Sequence, residues 1–398
     1  MPAARADVIL AQTTGLVQFN GAGVNYVIAT VASPNVLYMV YVDTGSDVAF
    51  RKSTDGGLSW SAPTVVYAGT VTALSVWYDR WSNISAGLIH CVYQESVTDD
   101  TFYRTINTES SDALSTQTTI FLGTSTATGG HLSVTRAVGG NVYCKTVIDA
   151  GAEGGFYRLP NANVPNGAWD AARTVDETIA TTDQMILLPD YDAADTQDIL
   201  AIFWDASANE ISRKLYDDSA NSWSETSIAA SMADQVATTA FPHFAVAPDI
   251  ANTQHILVAW SAVDTLNADL RCWTVDASTI TEVTNIVLNS TDDQGLCGVG
   301  IDLVTGYWYV AYGGISSGGE TFLTSINLYY KVSKDSGSTW GPETKLTTFA
   351  SDITWLAVPP RFNGFNNWVV AYHRDIALDE LMINANILQP RTNFQIGV

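Results

Sequence analysis

The apolar positions of this chain gather in short runs, and almost nowhere do they keep the 3.6-residue spacing of an amphipathic helix. The strongest runs are "VLYMVYVD" (36–43), "LIHCVYQE" (88–95), "VYCKTVID" (142–149), "ILAIFWDA" (199–206), "HILVAWSA" (255–262), "YWYVAYGG" (307–314) and "NWVVAYHR" (367–374). Val, Ile, Tyr and Trp dominate them, which predicts strands. Each is apolar at consecutive positions instead of alternating, so each strand needs cover on both faces. Tyr41, Tyr93, Ile148, Trp204, Trp260, Tyr312 and Tyr372 hold matching places, separated by 52, 55, 56, 56, 52 and 60 residues.

Seven copies at so regular a period predict an array of one supersecondary unit. A short strand precedes each run, as in "HLSVTRA" (131–137) and "CGVGIDL" (297–303). A more amphipathic one follows: "VAFRKS", "TFYRTI", "GFYRLP", "ISRKLY", "LRCWTV", "LYYKVS" and "LMINAN". A fourth is expected to start at Trp60, Trp169, Trp223 or Trp340. The expectation is an all-β fold: a seven-bladed β-propeller of four-stranded antiparallel blades. The seventh unit, 353–388, runs out of chain before its last strand, and a strand within 8–19 is expected to complete it, leaving no open sheet edge. The propeller then spans 1–390 as one domain, with 391–398 as a C-terminal tail.

Two turns share an unusual spelling. Ser53, Asp55, Gly57, Ser59 and Trp60 in "STDGGLSW", and Ser333, Asp335, Gly337, Thr339 and Trp340 in "SKDSGSTW", both fit S-x-D-x-G-x-[ST]-W. "YDDSANSW" keeps Asp218, Ala220, Ser222 and Trp223 at the same spacing. This pattern resembles the Asp-box, or BNR repeat, of the sialidase-like β-propeller superfamily. The side chains suit a staple: Asp accepts from backbone N–H groups, Gly takes a backbone shape closed to other residues, and Trp packs on the blade. The resemblance implies that these turns join third to fourth strands on the face opposite the usual ligand site.

Candidate chemistry therefore lies on the other face, in the second-to-third strand loops. These carry Asp43 and Asp47; Glu95, Asp99 and Asp100; Asp149 and Glu153; Asp205 and Glu210; Asp264 and Asp269; Glu320; and Asp375, Asp379 and Glu380. Arg374 is the one cation among them, whereas Arg51, Arg104, Arg158, Arg213, Arg271 and Lys331 fall on third strands. Asp is also a common turn residue. A ring of acids nonetheless predicts a negative rim, suited to a polyol, a basic partner or a cation such as calcium, and repellent to acidic sugars.

Sialidases use three arginines on the sugar carboxylate, a Tyr nucleophile paired with Glu, and an Asp acid. Their early aromatic-Arg-Ile-Pro motif has no match before Ser53, and Tyr157-Arg158-Leu159-Pro160 falls on a third strand. No sialidase residue is carried over. The alternative enzyme reading is a glycoside hydrolase, sialidase-like or a glycanase, using two rim carboxylates. Gly314-Ile-Ser316-Ser-Gly318 lacks the strand-to-helix elbow of a hydrolase serine, and His90, His131, His243, His255 and His373 lack metal-ligand spacing. Trp77-Tyr78-Asp79-Arg80-Trp81 reads as core packing with an Asp–Arg pair, or as a stacking patch.

The totals narrow the partners. The 398 residues carry 18 Lys and Arg against 41 Asp and Glu, a net charge of −23. Such a chain repels nucleic acid, whose binding rests on cations meeting phosphates. No stretch reaches the length of a membrane span, and no secretory signal is recognisable at the N-terminus. Cys91, Cys144, Cys272 and Cys297 show no C-x-x-C spacing and read as buried thiols. Asn83-Ile-Ser85 and Asn289-Ser-Thr291 fit glycosylation acceptors. The reading is a non-catalytic module, extracellular or on a virion surface, that recognises glycan or protein without a required cofactor. It stands alone, as a homo-oligomer, or as part of a larger assembly.

Overall fold

The computed structural model describes residues 7–13, 25–30, 35–43, 45–98, 100–123, 132–146, 155–175, 183–205, 207–230, 232, 244–262, 268–290, 296–314, 327–348, 353–363, 368–374 and 379–387. Their strands form seven sheets, one per repeat. Blade 1 is Asn25–Ala29, Leu37–Val42, Val48–Ser53 and Thr64–Tyr67. Blade 2 is Val71–Tyr78, Leu88–Glu95 and Thr101–Asn107, edged by Ala113–Leu114 and Thr118–Phe121. Blade 3 shows Leu132–Arg136, Val142–Thr146 and Phe156–Leu159. Blade 4 is Gln184–Pro189, Ile199–Asp205, Glu210–Asp217 and Ser222–Ala230. Blade 5 is Phe244–Asp249, Gln254–Ala262 and Ala268–Val275, edged by Ile280–Glu282 and Val287–Ser290. Blade 6 is Cys297–Asp302, Trp308–Gly313, Leu328–Ser333 and Thr344–Lys345.

Blade 7 takes Ile353–Ala357, Trp368–Arg374 and Asp379–Ile387 from the end of the chain and Val8–Thr13 from its start. Val8 pairs with Ile383 and Thr13 with Asp379, so the ring closes through the N-terminal strand. The seven second strands coincide with the seven apolar runs. Leu37–Val42 and Trp308–Gly313 are buried at every position, as a strand covered on both faces must be.

Adjacent blades are stitched at the axis and near the outer edge. Val134 N donates to Ser75 Oγ (3.0 Å) and Leu187 N to Ser133 Oγ (2.8 Å), joining the inner strands of blades 2, 3 and 4. Between blades 6 and 7 the fit is closer. A Cβ on Gly298 would lie 2.7 Å from Leu356, and one on Gly300 2.5 Å from the Pro359 carbonyl, which explains the spelling Cys297-Gly-Val-Gly-Ile301. The third-strand cations bind neighbouring blades: Arg104 reaches the Val66 carbonyl, Lys331 the Ile286 carbonyl (2.7 Å) and Arg213 the Asp276 carbonyl (2.7 Å).

Two features differ from expectation. Of the four tryptophans, only Trp223 lies in a fourth strand; the strands after Trp60 and Trp340 begin at Thr64 and Thr344. After Trp169 the blade 3 edge is held by Asp170 N to Arg158 O (2.8 Å) and Arg173 N to Phe156 O (2.7 Å). Second, Arg361–Phe362 lies parallel to Ile301–Asp302, adding a short strand from the blade 7 connection to blade 6. All four cysteines are buried and none forms a disulfide, and burial pushes the Cys91 thiol up to about 12.

Candidate functional site

Strand register assigns the two faces. Asn25 pairs with Tyr41 and Val42 with Val48, so inner strands begin where second-to-third loops lie. Ala29 pairs with Leu37 and Leu37 with Ser53, so inner strands end beside the third-to-fourth turns. The acidic loops thus crown one end of the axis and the S-x-D-x-G-x-[ST]-W turns the other.

A cavity of about 200 Å³ runs along the axis and is lined by the inner strands of all seven blades. Tyr26, Trp77, Val134, Met185, Phe244, Val299 and Trp355 each represent one blade in its wall. Strand alternation causes this: every second residue of an innermost strand faces the axis. Among the described residues the wall holds no Asp, Glu, Lys, Arg or His. Its polar groups are few: Tyr26, which donates to the Leu74 carbonyl (3.1 Å), Gln184, and the two interblade serines. The indole N–H groups of Trp81 and Trp355, both 4% exposed, have no acceptor among the described residues.

The floor of this cavity comes from the aromatic cluster after the first strand of blade 2. Trp77, Tyr78 and Trp81 pack edge to face around the short helix Asp79–Ser82. Tyr191 from blade 4 donates to the Trp81 carbonyl, and Arg361 from blade 7 donates to that of Arg80 (2.7 Å). The Asp–Arg pairing is not between sequence neighbours. Arg80 binds Glu109 at the surface (2.8 Å), while the buried Asp79 binds Arg136 of blade 3 (2.6 Å) and His90 (2.7 Å). His90 continues to the Tyr103 hydroxyl (2.7 Å). Burial opposes ionisation of Asp79, yet His90 and Arg136 outweigh it and hold the carboxyl below its ordinary value. The network is sealed: Asp79, His90 and Tyr103 are fully buried, so it anchors blade 2 to blade 3 and meets no substrate. His255 is also buried, bonded to the Pro189 carbonyl (2.8 Å) and stacked on Tyr191; burial pushes its imidazole down to about 4.

Most described rim acids brace their own loop or an adjoining one. Asp43 accepts from Gly45 N (2.8 Å) and Asp47 N (3.0 Å), and Asp47 accepts from Gly69 N (2.8 Å). Glu95 accepts from the Thr98 hydroxyl (3.2 Å), Asp100 from Gly123 N (2.9 Å), and Asp205 from Ser207 N (2.8 Å) and Ala208 N (2.9 Å). Asp269 accepts from Asn285 (3.2 Å), Glu210 opens the third strand of blade 4, and Glu380 pairs with Arg374 (3.3 Å). Asp99, Asp149, Glu153, Asp264, Glu320 and Asp375 lie outside the described residues, as do the Asp379 side chain and Ser316. Among the described residues no three His, Cys, Asp or Glu side chains gather to hold a metal ion, and no helix is long and apolar enough to cross a membrane.

The opposite face carries the staples. Ser53 Oγ accepts from Gly57 N (2.8 Å), Asp55 Oδ1 from Leu58 N (3.0 Å) and Ser59 N (2.9 Å), and Asp55 Oδ2 from the Ser59 hydroxyl (2.5 Å). Ser333, Asp335, Gly337 and Thr339 repeat this. Trp340 donates to the Thr284 carbonyl of blade 5 (2.8 Å), and Trp223 to the Thr174 carbonyl after blade 3 (3.1 Å). Sequence reasoning missed Tyr26, Phe244, Trp355 and Arg361. The first three sit on short inner strands whose alternation is legible only once the axis is known.

No protein-family profile matches the chain, and no curated protein sequence matches it. Its fold is shared with solved structures. The BP39L lectin from Burkholderia pseudomallei aligns at TM-score 0.61 and 11% identity, over 89% of this chain and 93% of the lectin. A family PL25 polysaccharide lyase, an ulvan lyase, aligns at TM-score 0.52 and 10% identity, over 94% and 95%. The NanB sialidase of Streptococcus pneumoniae aligns at TM-score 0.46 and 10% identity, over 96% and 71%.

Proposed function

We propose that the chain is a carbohydrate-binding propeller of the Asp-box superfamily, acting by recognition at a cell or particle surface, and that neutral glycan enters the axial cavity from the acidic face. The observation that carries this is the cavity wall: aromatic side chains from four blades, sparse polar groups and no ionisable carboxylate among the described residues. Aromatic faces pack against the C–H faces of a pyranose, and a few fixed polar groups orient its hydroxyls. The described wall itself supplies no opposed carboxylate pair of the kind that glycoside hydrolysis uses. Rim carboxylates accept sugar hydroxyls and repel sialic or uronic acids. The lectin and polysaccharide-lyase folds support a glycan ligand without choosing between binding and turnover.

The test is a library of immobilised glycans scored for both retention and cleavage. Neutral oligosaccharides are expected to be retained intact, sialylated chains to be excluded at low salt, and Tyr26→Phe to weaken retention by a few-fold. Cleavage that disappears on changing one rim acid, such as Asp47→Asn, would replace this reading with a glycoside hydrolase.

A further inference from the structure

A second cavity, of about 230 Å³, opens on the turn-bearing face between blades 5 and 6. Its walls come from the first-to-second strand loops of both blades, the Ser333–Trp340 turn, and Arg361. It shares no lining residue with the carbohydrate cavity except Pro248.

Arg361 is the unusual member. Among the described residues its side chain makes one hydrogen bond, to the Arg80 carbonyl (2.7 Å), and no ion pair. Its Nε is sealed from solvent without an acceptor among the described residues. Burial depresses the guanidinium below its ordinary value, with Tyr191 and Asp249 opposing that shift only partly. A guanidinium stays charged in a protein, so a buried one without a counter-ion is costly. In a chain of net charge −23 that cost is easily relieved, yet among the described residues no acid stands within ion-pair distance of it, Asp249 attracting it only from farther off.

The carboxylates nearby are already engaged. Asp302 accepts from Val304 N (2.9 Å) and the Thr305 hydroxyl (2.6 Å). Asp249 accepts from the amides of Asn252 (2.8 Å) and Gln254 (2.9 Å). Lys334, exposed at the mouth, makes no ion pair among the described residues and lies over the Tyr307 ring. The cavity therefore offers two cations without an ion pair among the described residues, with Thr305 and Ser336 as hydroxyl partners.

We propose that this cavity binds a small hydroxylated monocarboxylate, its carboxylate on Arg361 and its hydroxyls on the Thr305 and Ser336 side. A planar carboxylate matches the guanidinium fork. Two buried aspartates in the same wall penalise a doubly charged phosphate, which selects the monoanion.

The probe is glycerate, titrated into the intact protein and followed by calorimetry and thermal shift, with glycerol and inorganic phosphate as comparators. Glycerate is expected to bind and raise the melting temperature, glycerol not to bind, and phosphate to bind more weakly. Arg361→Met is expected to weaken glycerate roughly tenfold or more, the scale of one charge-assisted contact. Lys334→Glu, at an exposed position that leaves the fold intact, is expected to weaken it several-fold and flatten its salt dependence. The proposal is overturned if glycerate fails to bind wild-type protein, if glycerol binds equally well, if phosphate binds more tightly, or if Lys334→Glu leaves glycerate affinity unchanged. Glycan retention at the other face is read in parallel, so loss of one site is distinguishable from loss of the other.

Discussion

The third-to-fourth turns of blades 1 and 6 and that of blade 4 occupy equivalent places, yet they solve different problems. In blades 1 and 6 two consecutive residues are left-handed, Gly56 and Gly57 (φ 74 and 89) and Ser336 and Gly337 (φ 54 and 83). In blade 4 only Asn221 is (φ 52). There Asp217 pairs directly with Ser222, and the fourth strand runs nine residues, with one register shift near its far end, opposite Ile211 and Ser212. The intact motif instead lifts the chain off the sheet, so that fourth strands start late, at Thr64 and Thr344. Tyr216 replaces the motif's serine, and its hydroxyl binds Asn221 (2.8 Å). The carboxylate roles divide as well: Asp217 accepts from Ala220 N (2.7 Å), while Asp218 turns to Arg158 of blade 3 (2.8 Å) and Arg173 (3.0 Å). One motif thus makes a self-contained knot, and its relative makes a clasp between blades.

The largest effect is expected from the knot's glycine. A Cβ on Gly337 would meet Trp308 at 2.7 Å and Val283 at 2.8 Å, at a φ that disfavours any side chain. Gly337→Ala is expected to cost about 3 kcal/mol, strain and overpacking together, read by urea denaturation. A loss under about 1 kcal/mol would show that blade 6 tolerates a looser turn. Next comes the clasp. Asp218→Asn leaves Arg158 with Asp170 alone and should cost about 2 kcal/mol. A double-mutant cycle with Arg158→Met should recover most of that as coupling energy. Gly57→Ala ranks third, at about 1 kcal/mol, because the nearest atom, Val369 Cγ1, is 3.2 Å away and can yield.

These differences show which features are legible in a sequence. The seven apolar runs gave away blade number, strand order and closure, since covering a strand on both faces demands Val, Ile, Tyr and Trp at consecutive positions. The two intact turns are legible because Ser, Asp and Gly each have a role within five residues. Asp218 was matched by spacing alone, and spacing does not reveal that its partner lies 60 residues away in another blade. The axial cavity was hidden for a related reason. Tyr26, Phe244 and Trp355 come together only after seven separate inner strands converge. Of the rim acids, Asp43 and Asp205 take the Asx-turn role that such loops ask of aspartate, while Asp47 reaches the Gly69 N–H beyond the fourth strand. Arg361 carried no local signal, because its unusual feature is the want of an ion pair among the described residues.

The smallest effect, and the finest test of the comparison, is in acid. Slight desolvation of Asp55 is outweighed by the Ser59 hydroxyl and further donors, which hold its carboxyl below the ordinary value. The Thr339 hydroxyl leads the same effect at Asp335, and the Ala220 N–H leads it at Asp217. A carboxyl with a depressed native value releases its proton in the folded state while the unfolded chain still holds one. Its stabilisation is therefore complete above the unfolded value near 3.8 and is lost as pH falls through the lower native one. Asp55 and Asp335 each accept from hydroxyls on both sides, Ser53 with Ser59 and Ser333 with Thr339, whereas Asp217 has Ser219 alone. Replacing both motif aspartates by Asn should flatten the fall in stability below about pH 4 more, per residue, than Asp217→Asn does. Equal flattening would mean that backbone N–H donors, common to both kinds of turn, carry the acid sensitivity, and that the hydroxyls serve only to shape the knot.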